Sequence, residues 1–326
     1  MSFNRTIDCP IIVLVGPTAV GKTALSLHLV RQFDCEIISM DSMQVYRHMD
    51  IGTAKPSPQE QAEVPHHLID IADPDEQYDA ARFVTDALAA IKKIAARGRT
   101  VLLTGGTGLY LKALFEGLFD AMPADREIRA QLRKRLAEEG RAVLHAELCR
   151  IDPAAGARIH PNDTQRLLRG LEIYQASGRT WTELIAEQEA ERSRAGRKEF
   201  TRVFQAALNC EREELYQRIA RRSSMMLEQG LIEEVERLRA MGYAPELPSM
   251  QSIGYKHVNM LLSGEWNRTE MLEYLIRDTR RYAKRQMTWF RKNKELHWFD
   301  RQEYGRIADE AAARLFVASR GSRVKA

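Results

Sequence analysis

Two sets of residues in this chain have types and spacing suited to chemistry. The first is Gly16-Pro17-Thr18-Ala19-Val20-Gly21-Lys22-Thr23, a G-x-x-x-x-G-K-[ST] pattern. Its glycines let the backbone curl so that successive N–H groups point into one concavity, and a helix starting there adds its positive end. Lys22 then offers a mobile cation to phosphate oxygens, and Thr23 offers a hydroxyl to a bound Mg²⁺. A cradle for two linked phosphates suits ATP and prenyl diphosphates alike. The second is Asp41, which ends the apolar run Ile37-Ile38-Ser39-Met40. Side chains at the carboxyl ends of strands in an open α/β sheet face the ligand crevice, so Asp41 is placed to face whatever the loop holds. A turn or helix-capping role is the plainer alternative.

These residues need a scaffold, and the flanking sequence supplies one. Ile11-Ile12-Val13-Leu14-Val15 reads as a buried strand entering the loop, and Leu25, Leu27, Leu29 and Phe33 mark a helix leaving it. Tyr78 to Arg97 has helical spacing, with Phe83, Leu88 and Ile91 toward a core and Gly98 ending it. Thr100-Val101-Leu102-Leu103-Thr104 is a further strand, followed by Gly105-Gly106-Thr107-Gly108. Many P-loop NTPases end such a strand with an Mg²⁺-holding Asp, and its absence weakens an ATPase reading. Glycines there suit close approach to a ligand or a tight strand-to-helix turn. Between the two halves, Ser42 to Pro56 is polar and turn-rich, as functional segments beside phosphate sites are. Pro65-His66-His67-Leu68 places adjacent histidines on diverging faces with no partner at ligand spacing, so packing is expected rather than a metal.

From about residue 119 to 199 the texture changes to charged helix-formers without a strand pattern: Arg126 to Glu139, Thr164 to Tyr174 and Trp181 to Arg192. This predicts a helical insertion. Within it Asp163 is a candidate cap, and Arg166 and Arg169 share one helix face. Phe200 to Asn209 predicts a strand rejoining the sheet, and helices are expected over Glu211 to Gly230 and Leu231 to Met241. Between Arg277 and Lys294 stand eight basic residues and one acid, Asp278. That segment carries +7, so the rest of the chain carries −3 of the net +4. A one-sign helix face interleaved with Tyr282, Trp289 and Phe290 points to nucleic acid. Trp289 and Phe290 suit either base stacking or anchoring in the core.

With 326 residues, 44% apolar and 29% charged, the composition is that of a soluble globular protein. No apolar run approaches the roughly 18 residues a membrane span needs, and Met1 to Pro10 lacks the apolar core of a signal peptide. Cys9, Cys35, Cys149 and Cys210 are scattered, which suits reduced thiols in the cytoplasm.

Taken together, the motifs resemble the tRNA dimethylallyltransferases of bacterial type. The resemblance rests on Gly16 to Thr23, Asp41-Ser42-Met43-Gln44-Val45-Tyr46, Ile51-Gly52-Thr53-Ala54-Lys55-Pro56 and Pro65-His66-His67-Leu68. It continues through Gly105 to Tyr110, Ile253-Gly254-Tyr255 and Lys284-Arg285-Gln286-Met287-Thr288-Trp289-Phe290-Arg291. It implies an α/β protein with a P-loop, kinase-like open parallel sheet flanked by helices (1–118 and 200–326) and an all-helical insertion domain (119–199). It implies transfer of a dimethylallyl group from dimethylallyl diphosphate to N6 of the adenine 3′ to the anticodon, with Mg²⁺ as cofactor and a cytoplasmic monomer as the acting form. Asp41 would be the general base, with Lys22 and Thr23 assisting. Contacts to the tRNA anticodon stem-loop would fall on Asp41, Ser42, Met43 and Gln44, on Thr107 and Arg129, and on Gln165, Arg166, Leu167, Leu168 and Arg169. Others would fall on Ser249, Met250, Gln251, Ser252, Ile253 and Gly254, and on Lys284 through Arg291. Two rivals remain: an ATP-dependent small-molecule or nucleotide kinase, and a non-catalytic RNA-binding protein.

Overall fold

The computed structural model describes residues 6–117, 125–195 and 199–317. The chain divides into two compact units, Met1–Phe115 with Glu199–Ala326, and Glu116–Lys198. The expected boundary at 118/119 falls outside the described residues.

In the first unit the order is β1 (Thr6–Val15), α1 (Lys22–Phe33), β2 (Cys35–Met40), α2 (Pro58–Glu63), β3 (His66–His67), α3 (Ala80–Ala96), β4 (Thr100–Gly105) and α4 (Gly108–Glu116). Among its described residues the second unit has five helices, α5 (Arg126–Glu139), α6 (Arg141–Ile151), α7 (Pro153–Arg158), α8 (Thr164–Ser177) and α9 (Trp181–Ala195). The chain then returns with β5 (Glu199–Asn209), α10 (Arg212–Glu228), α11 (Leu231–Ala240), α12 (Tyr255–Leu262), α13 (Arg268–Phe290), β6 (His297–Asp300) and α14 (Tyr304–Ala312). Six strands pair in the order β3-β2-β4-β1-β5-β6, all parallel.

A parallel sheet is covered on both faces, which is why β1 reads as an unbroken apolar run with Ile11 to Val15 fully buried. Its register with β4 and β5 brings Val15 level with Gly105 and Ala207, so the loops after these strands leave from one sheet edge. Helix α3 is capped by Asp79, whose carboxylate accepts from the N–H groups of Ala81 and Arg82. It buries Phe83, Ala87, Ala90, Ile91 and Ile94. Leu88, expected among them, is only half-buried, because it lies about a third of a turn from the centre of that stripe. The helix α2 and the edge strand β3 lie just beyond the turn-rich segment, where the sequence predicted no element. His67 Nε2 meets Glu36 Oε2 at 2.7 Å, and His66 Nδ1 meets the Val64 carbonyl at the same distance, so both histidines secure the sheet edge.

The second unit is entirely helical among its described residues and has its own core of Leu132, Leu144, Leu148, Ile159, Leu167 and Leu171. Asp125 caps α5 and Asp163 caps α8. The buried Asp152 caps α7, where Pro153 sits at the first helical position, and also accepts the N–H and hydroxyl of Thr182.

Candidate active site

A cavity of about 860 Å³ opens at the carboxyl ends of β1, β2 and β4, bordered by the start of α1 and by residues of α10 and α13. This is the crevice where open parallel α/β sheets bind ligands. Helix α1 begins at Gly21 (φ 111°) with no side-chain cap and no acidic residue in its first turn. Its first N–H groups have no partner within the helix, so the partial positive charge at this end remains available to an anion. Thr23 is exposed beside it and lines the cavity.

Lys22 is not extended as the expected mobile cation. Its ammonium folds back and donates to the carbonyls of Gly16 (2.9 Å) and Pro17 (3.0 Å). Removal from water, with the Arg222 guanidinium nearby, lowers its pKa to about 8 against an opposing pull from Asp41. Two further cations come from α10, one turn apart. Arg218 Nε donates to the Ala19 carbonyl at 2.7 Å, and Arg222 Nη1 donates to Thr18 Oγ1 at 3.2 Å. Burial lowers the Arg222 pKa, with Asp41 opposing, and neither arginine pairs with a carboxylate among the described residues. Sequence reading missed both. Their only trace is the i, i+4 spacing on the helix that follows β5.

Asp41 sits across the same cavity. Its Oδ1 accepts from the N–H groups of Met43 (2.8 Å) and Gln44 (3.4 Å), so the capping alternative is part of its role. Oδ2 takes no hydrogen bond among the described residues and is left for a ligand. Gln44 links this turn to its support. Its Oε1 accepts from the Ser39 hydroxyl, and its Nε2 donates to the carbonyls of Thr53 and Ala54. The 50–54 segment is held by Glu234 of α11, which is 2% exposed. Glu234 accepts from the N–H groups of Asp50, Ile51 and Gly52 and from the Tyr255 hydroxyl at 2.6 Å. All four partners are donors, so Glu234→Gln turns an amide NH₂ against them. Urea denaturation should show a loss of about 2–4 kcal/mol, with Tyr255→Phe losing about 1.5–3.

Gly105, which ends β4, and Gly106 after it line the cavity, and the protein's own packing already requires both. A Cβ on Gly105 would lie 2.1 Å from the Met40 carbonyl oxygen, and one on Gly106 would lie 2.2 Å from Gln286 Nε2. Gln286 itself is buried and joins two loops. Its Oε1 accepts the Thr18 N–H and its Nε2 donates to the Gly106 carbonyl, both at 2.9 Å. It was expected to meet RNA; the structure makes it a brace for the phosphate loop. The basic face is also shorter than expected, since α13 ends at Phe290 and Arg291, Lys292 and Lys294 follow in a turn. Asp278 pairs with Arg277, Arg281 and Lys256, which offsets part of its charge.

Burial sorts the other expected RNA contacts. Leu167, Met250 and Phe290 are fully buried core residues whose side chains are closed to RNA; Phe290 is thus an anchor. Ser249 is buried with its hydroxyl on the Pro74 carbonyl, and Gly254 is buried too. Leu168 is partly buried and packs on the helical core. Thr107 Oγ1 accepts the Ser42 N–H at 3.1 Å, tying the turns after β4 and β2 together. Gln165, Arg166, Gln251, Lys284, Arg285, Thr288, Trp289 and Arg291 are exposed, while Met43, Ser252, Ile253 and Met287 are half-buried. The Trp289 ring lies against Gly108. In the helical unit Arg129 and Arg169 both pair with the buried Glu172, and Arg166 pairs with Asp163.

An uncapped helix start ringed by cations that have no carboxylate partner among the described residues, facing Asp41 across a cavity that Glu60 also lines, places this chain among the α/β P-loop proteins. The comparisons agree with that class. The model of the IPP transferase family matches residues 44–293. A relative from Desulfotalea psychrophila, named tRNA dimethylallyltransferase, is 52% identical over 92% of this chain and 94% of its own. Among solved structures, a tRNA isopentenylpyrophosphate transferase from Bacillus halodurans is 39% identical, with a TM-score of 0.69, covering 95% of this chain and 98% of that one. A eukaryotic dimethylallyltransferase described as acting on tRNA has a TM-score of 0.76 at 30% identity, covering 94% of this chain and 78% of that one. The chain belongs to the IPP transferase family. The kinase and non-catalytic alternatives are thereby set aside.

Proposed function

We propose that this protein transfers the dimethylallyl group of dimethylallyl diphosphate to N6 of the adenine 3′ to the anticodon, in tRNAs reading codons that start with U. The carrying observation is the single cavity that joins the cation-ringed P-loop to the unbonded Oδ2 of Asp41. An adenine amine is a weak nucleophile because its lone pair is delocalised into the ring, so activation must come from the leaving group. The free N–H groups at the start of α1, with Lys22, Arg218 and Arg222, stabilise negative charge as the C1–O bond breaks and diphosphate departs with the electron pair. The allylic carbon bears the partial positive charge, the N6–C1 bond forms, and Asp41 takes the N6 proton. The base must leave its stack to reach the site, and Tyr282, which lines the cavity beneath Arg285, is placed to hold it.

No cluster of three His, Cys, Asp or Glu suited to a metal exists among the described residues. A divalent ion here would therefore draw its oxygens from Thr23, the diphosphate and water, the habit of Mg²⁺, so the residues fit it. When bound, Mg²⁺ supplies further neutralisation of the leaving diphosphate. RNA contacts are proposed for Asp41 to Gln44, Thr107, Gln251 to Ile253 and the exposed residues from Lys284 to Arg291, and, in the helical unit (Glu116–Lys198), for Arg129, Gln165, Arg166 and Arg169. A monomer is the proposed acting form, and the RNA substrate supports a cytoplasmic location. Among the described residues no helix is long and apolar enough to cross a membrane.

The deciding assay incubates the protein with tRNA and labelled dimethylallyl diphosphate, and in parallel with ATP. Label on the RNA from the prenyl donor is the expected result. ATP turnover without transfer of the prenyl label would overturn the reading.

A further inference from the structure

A second cleft, of about 490 Å³, is lined by residues of α10 and α13. Five cations line it, Arg212, Arg277, Arg280, Arg281 and Lys284, against one acid, Glu273. Arg277 and Arg281 share Asp278, but Arg212, Arg280 and Lys284 pair with no carboxylate among the described residues. Arg212 and Arg280 are instead gathered on one ring: their guanidinium carbons lie 5.2 Å and 4.9 Å from the centroid of Tyr216. Cation–π attraction holds each, yet two like charges on one ring repel, and no acid stands between them. A guanidinium over a ring also keeps its in-plane N–H groups for another acceptor. Arg280 Nε is buried with no hydrogen-bond partner among the described residues. An anion with several oxygens would offset that repulsion and accept from the guanidinium N–H groups that remain open, and the forked geometry of arginine matches phosphate.

The size of the anion follows from the row that continues the cleft. Exposed Lys284, Arg285 and Arg291 carry the cationic face onward from Arg277. At the rise of a helix this row spans about 20 Å, longer than a mono- or diphosphate. We propose that the cleft binds a backbone phosphate of the substrate RNA through Arg212 and Arg280, extending the RNA footprint onto α10, where none of the motif residues lie. The proposal rests on the reading of this protein as acting on tRNA. It makes α10 bifunctional, since Arg218 and Arg222 of the same helix serve the phosphate loop.

The test uses Arg212→Ala, whose side chain is exposed, and Arg280→Gln in the full chain, with labelled tRNA binding measured from low to high salt. Each variant should bind tRNA about 5- to 20-fold more weakly at low salt. The slope of log affinity against log salt should fall by about 0.7–0.9 for the phosphate lost. Affinity for inorganic diphosphate should match wild type. Wild-type tRNA affinity and slope in both variants would overturn the proposal. So would a selective loss of diphosphate affinity, which would assign the cleft to a small anion. Weaker tRNA binding with an unchanged slope would also overturn it, leaving the arginines as packing residues. Because the slope is read on binding alone, it judges the cleft even if wild-type protein transfers no prenyl group, a result that would overturn only the proposed reaction.

Discussion

Asp41→Asn should lower single-turnover prenylation of an anticodon stem-loop by about 10²-fold or more while leaving dimethylallyl diphosphate binding within a few-fold. The separation follows from the two oxygens of this carboxylate. Oδ1 holds the turn through the N–H groups of Met43 and Gln44, and an Asn carbonyl reproduces those bonds. What Asn cannot do is accept the proton released from N6 as the new C–N bond forms. In the proposed reaction donor affinity resides in the P-loop, Arg218 and Arg222, on the other side of the cavity, and should survive. Affinity for RNA should shift modestly, because in the proposed reaction the same side chain would also accept a hydrogen bond from the adenine amine. Equilibrium binding of each substrate beside the single-turnover rate separates the effects. Near-normal transfer by the Asn variant would leave Asp41 as a turn residue and send the proton to the diphosphate or to water.

Lys22→Ala should weaken dimethylallyl diphosphate binding by about 10²-fold and slow transfer as well, since the lost charge assists both the bound donor and the departing diphosphate. The free protein gives this lysine an unusual titration. Burial, with the Arg222 guanidinium nearby, brings its pKa down from the ordinary 10.5 to about 8. Between those values the unfolded chain holds a proton that the folded chain lacks, so this residue makes stability rise with pH through that window. Diphosphate in the cradle reverses the preference and favours the ammonium form. Binding above pH 8 should therefore take up a proton, and donor affinity should fall as pH rises from 8 toward 10. Calorimetry in buffers of different ionisation enthalpy measures the uptake directly. The Ala variant should lack both the uptake and that pH dependence. Equal donor affinity in the two proteins would show that the folded-back ammonium seen here never swings to the ligand.

How much of the site was legible depended on how local each signal is. Gly16 to Thr23 could be read because a loop that turns amides toward phosphate needs those residue types at that spacing, and Asp41 because it ends a strand. Arg218 and Arg222 carry the same weight in the cavity and were unreadable. They sit nearly 200 residues from the loop they brace (|i−j| of 199 and 204), and arginines a turn apart on a helix usually face water. Glu234 was equally silent, since nothing local distinguishes a buried acid in a helix from a solvated one.

Motif membership proved a poor guide to orientation. Gln286 and Phe290 lie in the run from Lys284 to Arg291, yet Gln286 braces the phosphate loop and Phe290 anchors the core, while Lys284 and Arg285 are exposed. Helical period alone separates them, and only the packing of α13 decides which face turns inward. Gly105 shows the same limit: its missing side chain makes room for the Met40 backbone one strand away. The sequence by itself determined the alternation of strands and helices, the glycine-rich loop and the strand-end carboxylate of Asp41, because each depends on neighbours within a few residues. The tertiary structure alone decided which cations join that cradle, which motif residues stay open to a ligand, and how Lys22 titrates. Those properties arise from burial and from charges brought together across the fold, and chain order records neither.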